Sequence, residues 1–198
     1  QQKLQNIIDL NLEIAKIQDV DILLKKILSA ARKLVDAEAG CIYIKDGETL
    51  RCLHIQNDTL QQQFVSEEQF RYKTFSIPVN QQSIPGYVAS TGETLNIPNV
   101  AQFPNDVPYS FHSCDEDLSY YHTQSLLAVP LKYYQDDTVG VMHLINAHND
   151  AGEVIPFCEG DLPVIKIFAS HVAIPIERAQ TARVRILGMI RLLTELDD

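Results

Sequence analysis

The sequence predicts an α+β fold, with a central antiparallel sheet, N- and C-terminal helices on one face, and a ligand pocket under loops and short helices on the other. Three observations lead to this prediction. Apolar residues recur at helical spacing near both ends of the chain, strand-like apolar runs fill the middle, and polar segments separate these runs. The order of elements is helix, helix, strands, short helices, hairpin and long helix.

The composition is typical of a globular domain and argues against two classes of partner. Of 198 residues, 45% are apolar and 21% are charged, and the net charge of −10 disfavours nucleic acid. No apolar run reaches the ~18 residues of a membrane-spanning helix, so no membrane insertion is expected. The four cysteines form no C-x-x-C pair, which indicates reduced thiols and a cytoplasmic location. The chain begins without Met, and we take it to be a fragment.

Two helices are predicted before the sheet. Apolar residues at helical spacing predict the first over residues 4–17. Asp19 is a candidate N-cap for the second, which runs to about Val35.

The first strands are predicted over residues 40–45 and 50–55, joined by an Asp46-Gly47 turn. Successive side chains of a strand alternate between its faces. Cys41 and Tyr43 therefore share one face of the first strand, opposite Ile42 and Ile44. We expect one face to pack on helices and the other to look into a cavity.

The middle of the chain predicts short elements and a long loop. Residues 75–79 predict a strand, and residues 83–91 predict a helix with Pro85 in its first turn and a stop at Gly92. Residues 99–118 are loop-like, and a short helix is predicted over residues 118–123.

The clearest hairpin follows, with strands over residues 125–134 and 138–147. Pro130 interrupts the first of these strands. Because proline cannot donate a ladder hydrogen bond, Pro130 is expected at an edge or at a bulge.

The last segment, Asp161 to Leu196, predicts one long helix, with Asp161 as a cap and Pro163 just inside. Its apolar residues alternate spacings of three and four, which is typical of a coiled coil. Pro175 must kink this helix or mark the boundary between domain and coiled coil. We expect a homodimer through this helix, with residues 4–17 joining the bundle. The positions of this heptad seam are Ile165, Phe168, Val172, Pro175, Ala179, Ala182, Ile186, Met189, Leu193 and Leu196.

Several of these segments resemble the signatures of GAF domains. Residues 83–93 (SIPGYVASTGE) and 96–100 (NIPNV) are similar to the middle signature of that family. Residues 125–131 (SLLAVPL), with 139–141 (VGV) and 144–146 (LIN), are similar to its closing hairpin. The resemblance covers residues 19–178. Together with the apolar spacing of the two ends, it leads us to expect a dimerisation helix over residues 1–18, a GAF domain over 19–178, and a coiled-coil linker over 179–198 that leads to an output domain.

The sequence is most similar to the cyclic-nucleotide-binding GAF domains of phosphodiesterases and adenylyl cyclases. Their signature runs Asn-Lys, then Phe, three residues, and Asp-Glu. Asn146, Phe157 and Asp161 match it, whereas Ala147 replaces the Lys and Leu162 replaces the Glu. The resemblance implies that the Lys–Asp ion pair of the family is lost here.

The resemblance also implies a set of ligand-binding positions and a purine cyclic nucleotide as ligand, cAMP marginally before cGMP. No Lys or Arg lies between Thr74 and Leu131, so a phosphate would depend on backbone N–H groups near Ile84 to Tyr87 and on hydroxyls. The implied ligand-binding residues are Cys41, Ile84, Pro85, His112, Glu116, Ser119, Thr123 and His143.

Each of these sites has a structural alternative. Ser119 and Thr123, four residues apart, either bind the ligand from one helix face or cap that helix. His143 is a ligand contact or a core histidine. Five aromatic residues either stack on a planar ligand or form part of the ordinary core. They are Phe103, Tyr109, Phe111, Tyr120 and Tyr121. A further group of potential metal ligands lacks regular spacing, so no metal site is predicted; its members are His112, Cys114, Asp115 and Asp117.

The sequence lacks the common catalytic motifs, including G-x-S-x-G, H-E-x-x-H and the phosphate-binding loop. We therefore expect a regulatory binding domain that is not an enzyme and needs no cofactor. The alternatives are a ligand-free GAF domain that only dimerises and relays a signal, and an enzyme such as a GAF-fold sulfoxide reductase, which needs a reactive cysteine. Residues 188–198 resemble the approach to an HD-GYP phosphodiesterase domain, which would be the output domain.

Overall fold

The computed structural model describes residues 14, 17, 19–59, 76–102, 104, 106–111, 122–134 and 137–196, with side chains as far as residue 182. Within these ranges the chain forms helices, strands and one short 3₁₀ helix, Glu159–Asp161. The helices are α1 (Val20–Leu34), α2 (Ile84–Thr91) and α3 (Leu162–Leu196). The strands are β1 (Ala37–Asp46), β2 (Thr49–Asn57), β3 (Ser76–Pro78), β4 (Leu95–Ile97), β5 (Leu126–Tyr133), β6 (Asp137–His148) and β7 (Val154–Ile155).

The strands form one antiparallel sheet in the order β3-β2-β1-β6-β5-β4, and β7 pairs with the end of β6. The central neighbours β1 and β6 lie far apart in the sequence. Their register places Cys41 opposite His143 and Ile42 opposite Met142. The predicted α+β fold with an antiparallel sheet is therefore confirmed.

The two faces of the sheet carry two separate apolar cores, as the alternation along β1 predicts. Ile42 and Ile44 belong to the core under helices α1 and α3, called the helix-side core below. Cys41 and Tyr43 belong to the core on the opposite face, called the pocket face, which α2 covers. The pocket-side core consists of Cys41, Tyr43, Leu50, Cys52, Ile84, Val88, Ala89, Ile97, Leu126, Ala128 and Val141.

Helix α1 begins at its predicted cap. The Asp19 carboxylate accepts hydrogen bonds from the backbone N–H groups of Asp21 (2.9 Å) and Ile22 (3.0 Å). Its apolar side packs on β1 and β2, where Leu24 and Leu28 are fully buried. The predicted helix over residues 4–17 lies mostly outside the described residues, but Ile14 is helical and buried in the helix-side core.

Helix α3 continues through Pro175 without a break. The first three positions of the predicted heptad seam, Ile165, Phe168 and Val172, are fully buried in the chain's own helix-side core. They pack on the sheet, chiefly on β5, and are therefore not free to pair with a second chain. The sequence pattern did not distinguish the part of α3 that packs on its own sheet from a part that could pair with a second chain. Both kinds of packing require the same spacing of apolar residues.

Strand β5 shows how the sheet accommodates Pro130. Strand β4 pairs only with Leu126, Leu127 and Ala128, so the ladder on that side ends before the proline. A register shift follows at once, between Leu131 and Lys132. Pro130 thus lies where one side of β5 is an edge, which meets the expectation of an edge or a bulge, and the bulge itself begins after Leu131.

Strands β4 and β7, which have three and two residues, were not predicted. No helix among the described residues is both long enough and apolar enough to cross a membrane.

Gly40 allows α1 to lie directly on the sheet. A methyl group added there would come within 2.7 Å of the His143 carbonyl oxygen and 2.9 Å of Leu28 Cδ1. We expect Gly40→Ala to lower the free energy of unfolding by about 1–3 kcal/mol, because the added carbon meets backbone that cannot move aside. Urea denaturation measures this change.

The matched control is Gly160→Ala, where the added carbon would meet only Cys158 Sγ at 3.5 Å. This variant should change stability by less than about 0.5 kcal/mol. Equal losses in the two variants would contradict the packing role of Gly40.

Candidate ligand-binding site

The pocket face is built by four neighbouring strands. One row of residues crosses it, with Ala128 of β5, His143 of β6, Cys41 of β1 and Ile55 of β2 as consecutive cross-strand partners. Two of the predicted ligand-binding residues, Cys41 and His143, are thus brought together by pairing between strands that are a hundred residues apart.

A bulge in β2 decides which residue completes this row. Tyr43 pairs with Cys52, but the next residue of β1, Ile42, pairs with His54, so Leu53 is an extra residue. If the register were continuous, Leu53 would pair with Ile42 and His54 would stand opposite Cys41; with the bulge, Ile55 takes that place. His54 is thereby moved to the helix side, where burial, and then the charge of Lys25, lower its pKa.

Cys52 is a pocket-face residue that the sequence analysis did not single out. The tight turn after Asp46 pairs Asp46 with Thr49 and hence Tyr43 with Cys52. The hairpin register was therefore the signal that could have found it.

Cys52 and His143 both lie close to Cys41 on the pocket face. The hydrogen bond with Cys52, and then burial, raise the pKa of Cys41 well above its ordinary value, although His143 acts in the opposite direction. Cys41 is therefore a neutral thiol at physiological pH. Since the thiolate is the nucleophilic form, this arrangement does not prepare Cys41 for covalent catalysis.

His143 is the most informative polar group of the pocket face. Only 5% of it is exposed, and its ring packs edge-on against Tyr43 with 5.1 Å between centroids. Its Nε2 atom has no hydrogen-bond partner among the described residues. A buried nitrogen without a partner costs folding free energy, so a partner supplied from the pocket would be favourable.

Helix α2 closes one side of the pocket face and places the predicted residues Ile84 and Pro85, both buried, at its first turn. The helix begins and ends as predicted. Ser83 is its N-cap, and Gly92 ends it in a left-handed conformation with φ of 68°.

The N-terminus of α2 has few donors left for an anion. The Gly86 N–H bonds the Ser83 hydroxyl (3.2 Å), and the Tyr87 N–H bonds the Ser83 carbonyl (2.8 Å). Pro85 has no N–H. A phosphate at this turn would depend on the N–H of Ile84 or on displacement of the Ser83 side chain.

Two aromatic residues lie beside α2. The Ser110 N–H bonds the Gln82 carbonyl at 3.0 Å, which holds residues 109–111 next to the start of the helix. The Tyr109 ring packs on Tyr87 with 4.7 Å between centroids, and Tyr109 and Phe111 contact the pocket-side core. The other three aromatic residues of the sequence prediction, Phe103, Tyr120 and Tyr121, lie outside the described residues.

Thr123 is not helical, which corrects the prediction for the described end of the segment 118–123. The Thr123 side chain is half-buried. The peptide groups before and after Thr123 both form hydrogen bonds with the Asn146 side chain. Asn146 Nδ2 donates to the His122 carbonyl (3.0 Å), while its Oδ1 accepts from the N–H groups of Gln124 (2.8 Å) and Ser125 (3.3 Å). Because Asn146 takes these backbone groups, they do not form a helical turn.

Asn146 adopts a φ of 53°, a left-handed conformation that asparagine tolerates better than most residues. It is 2% exposed. The matched signature residue Asn146 therefore acts on the backbone beside the pocket.

The other signature positions lie on the helix side. Phe157 and Ala147, which replaces the family lysine, are both buried in the helix-side core. Asp161 ends the 3₁₀ helix, and α3 begins at the next residue, Leu162. At the position of the family lysine, the chain therefore has a small side chain that is part of an apolar core.

Of the predicted ligand-binding residues, His112, Glu116 and Ser119 lie outside the described residues. So do Cys114, Asp115 and Asp117 of the group considered for a metal. In the described part of the chain, no three His, Cys, Asp or Glu side chains are arranged to hold a metal ion.

Comparison with known proteins assigns the family. The GAF domain model matches residues 19–176. The chain belongs to the GAF domain family. It is 25% identical over 189 residues to a probable 3',5'-cyclic phosphodiesterase, pde-5, of Caenorhabditis elegans, covering 91% of the chain and 24% of that protein. It is 27% identical over 175 residues to a cGMP-specific 3',5'-cyclic phosphodiesterase of Drosophila virilis, covering 85% and 18%.

This GAF chain thus spans a quarter or less of the length of these two relatives. Solved structures agree on the fold. The GAF domain of an Acinetobacter phosphoenolpyruvate-protein phosphotransferase superposes with a TM-score of 0.67 at 14% identity, covering 92% of this chain and 97% of that one. The free methionine-R-sulfoxide reductase of Neisseria meningitidis gives 0.64 at 15% identity, covering 89% of both chains.

The burial of the two pocket-face thiols gives a direct test. Cys158 is exposed, whereas Cys41 and Cys52 are buried. In the native protein at neutral pH, we expect iodoacetamide to alkylate Cys158 well before Cys41 and Cys52, because the latter are inaccessible and Cys41 is protonated. Peptide mass spectrometry after timed labelling measures the three rates.

The control is the same labelling in urea, where the three rates should converge. Native labelling of Cys41 as fast as Cys158 would show an activated, accessible thiol and would revive the reductase alternative.

Proposed function

We propose that this GAF domain is a regulatory small-molecule-binding domain whose ligand is a purine cyclic nucleotide, cAMP or cGMP. The ligand binds against the pocket face, and the signal passes through the terminal helices to an output domain. By the resemblance of residues 188–198, that output domain is an HD-GYP phosphodiesterase. The domain itself is not an enzyme, and it is cytoplasmic.

The observation that carries the proposal is the buried Nε2 atom of His143, for which the described part of the chain supplies no hydrogen-bond partner. A purine offers ring nitrogens and exocyclic groups that pair with an imidazole nitrogen in either of its tautomers. The neighbouring Cys41 thiol is neutral, so it adds a polar group beside His143 without adding a negative charge. Such a pair suits binding rather than chemistry.

Two further features support a planar ligand with a single charge. Tyr109 and Phe111 contact the pocket-side core, which places two aromatic rings on the face where we propose that a flat ring binds. With no Lys or Arg between Thr74 and Leu131, a cyclic phosphate suits the site better than a triphosphate. The similarity to cyclic-nucleotide phosphodiesterases supports the same class of ligand.

Titration calorimetry with cAMP and cGMP at millimolar ligand tests the proposal. His143→Phe keeps an aromatic ring against Tyr43 but removes the nitrogen, so we expect about tenfold weaker binding. His171→Gln is the matched control, because His171 is exposed on α3 across the sheet. If neither nucleotide produces heat with the unmodified protein, the proposed ligand is refuted.

The alternative of a ligand-free relay domain has one observation in its favour. Ala147 is 4% exposed and belongs to the same apolar core as Phe157, so this part of the domain is stabilised by apolar burial without the family ion pair. On this alternative, native mass spectrometry of the purified protein shows no bound small molecule, and a panel of nucleotides leaves its melting temperature unchanged.

The proposed relay includes a homodimer through α3. Two exposed isoleucines lie seven residues apart on this helix, Ile167 (44% exposed) and Ile174 (38%). Heptad spacing places both on one stripe, separate from the buried seam residues. The structure therefore favours this stripe as the dimer contact alongside the globular domain.

The variant Ile167→Glu with Ile174→Glu should shift the protein from dimer to monomer, because paired helices would bury like charges. Analytical ultracentrifugation measures the distribution. The control is Tyr134→Glu, which adds one carboxylate at a side chain that is 79% exposed just after β5. An unmodified protein that sediments as a monomer at high micromolar concentration would refute the dimer.

A further inference from the structure

A set of hydrogen bonds crosses the end of the sheet from α1 to the backbone around Thr123. Glu38 stands at its centre. It lies on β1 between Ala37 and Ala39, whose partners on β6, Ala147 and Ile145, flank Asn146. The pairing of β1 with β6 therefore sets Glu38 against Asn146.

The Glu38 carboxylate fixes the orientation of the Asn146 amide. Oε2 of Glu38 accepts from Asn146 Nδ2 at 3.1 Å, and its Oε1 accepts from the Thr59 hydroxyl. The second Nδ2 hydrogen goes to the His122 carbonyl. A flipped amide would set its oxygen against the carboxylate and lose both contacts, so Glu38 holds Asn146 in the orientation that binds residues 122–125.

Arg32 attaches the same part of β1 to helix α1. Its guanidinium donates to the carbonyls of Ala37 (3.2 Å) and Glu38, to Gln56 Oε1 (3.1 Å), and to the Asp58 carboxylate. Arg32 is only 9% exposed. A buried cation separated from these acceptors would be strongly unfavourable, so α1 and the start of β1 move together.

Gln56 strengthens this attachment. Its Nε2 donates to the Lys25 carbonyl at 3.0 Å and to the Ser29 hydroxyl at 2.9 Å, both on α1. Two polar side chains, from α1 and β2, thus tie the helix to the strand that carries Glu38.

We propose that Glu38 is a positioning residue that couples helix α1 to the backbone on both sides of Thr123. Its role at the ligand site rests on the proposed function, in which Thr123 is a ligand-binding residue. A change of backbone position at residues 122–125 is passed through Asn146 and Glu38 to Arg32 and α1. Through these hydrogen bonds, the backbone beside the pocket is connected to helix α1 without the involvement of the apolar core.

Amide hydrogen exchange measured by NMR without nucleotide tests the positioning role. Glu38→Ala should raise the exchange rates of the Gln124 and Ser125 amides about tenfold, because the amide that accepts their hydrogen bonds is released. Glu38→Gln keeps the shape of the side chain and should give a smaller increase. The control is Glu48→Gln, an exposed carboxylate in the β1–β2 turn, which should leave these rates unchanged.

Combination with Asn146→Gly separates this role from general destabilisation, since glycine tolerates the left-handed φ. If Glu38 acts through Asn146, adding Glu38→Ala to Asn146→Gly should not raise the two rates further. Additive effects, or unchanged exchange at Gln124 and Ser125 in Glu38→Ala, would overturn the proposal.

The coupling to α1 is tested with Arg32→Lys, which keeps the charge but loses the forked set of donors. Faster exchange at Gln124 and Ser125 in this variant is the expected result, and faster exchange in α1 alone would refute the coupling. These measurements need no ligand. Failure of both nucleotides to bind would therefore refute the proposed function, while the exchange rates would still decide the role of Glu38.

Discussion

The pairing of β1 with β6 is the constraint on which the rest of this domain depends. It joins a strand near the start of the chain to one near its end and divides the molecule into two faces. On one face it places Cys41 beside His143. At the end of the same ladder it sets Glu38 against Asn146. A shift of this register by one residue would exchange the two faces and dismantle both arrangements.

The two faces have different physical demands. The helix side is an apolar core in which α1 and α3 cover the sheet, and Ala147 and Phe157 extend that core to the place of the family ion pair. The pocket face retains polar atoms in a buried setting. Its Cys41 thiol is neutral, and the Nε2 atom of its imidazole has no hydrogen-bond partner among the described residues. Such an arrangement is costly in a sealed core and useful in a binding site.

The polar network at the end of the sheet is built from residues that are unremarkable in the sequence. Arg32 belongs to a predicted helix and Glu38 to the connection that follows it. Their importance arises from burial, because a guanidinium and an amide removed from water must find all their partners within the protein. The network satisfies them and, in doing so, ties α1 to the residues next to the pocket.

The sequence by itself determined the elements and their faces. Apolar periodicity and caps identified α1 from Asp19, α2 between Ser83 and Gly92, and the alternation of Cys41 with Ile42, because these depend on neighbours within a few residues. Only the tertiary structure decided the rest. The extra residue Leu53, the half of α3 that packs on its own sheet, and the binding of the Thr123 backbone by Asn146 all depend on contacts between distant segments, which local spacing does not encode.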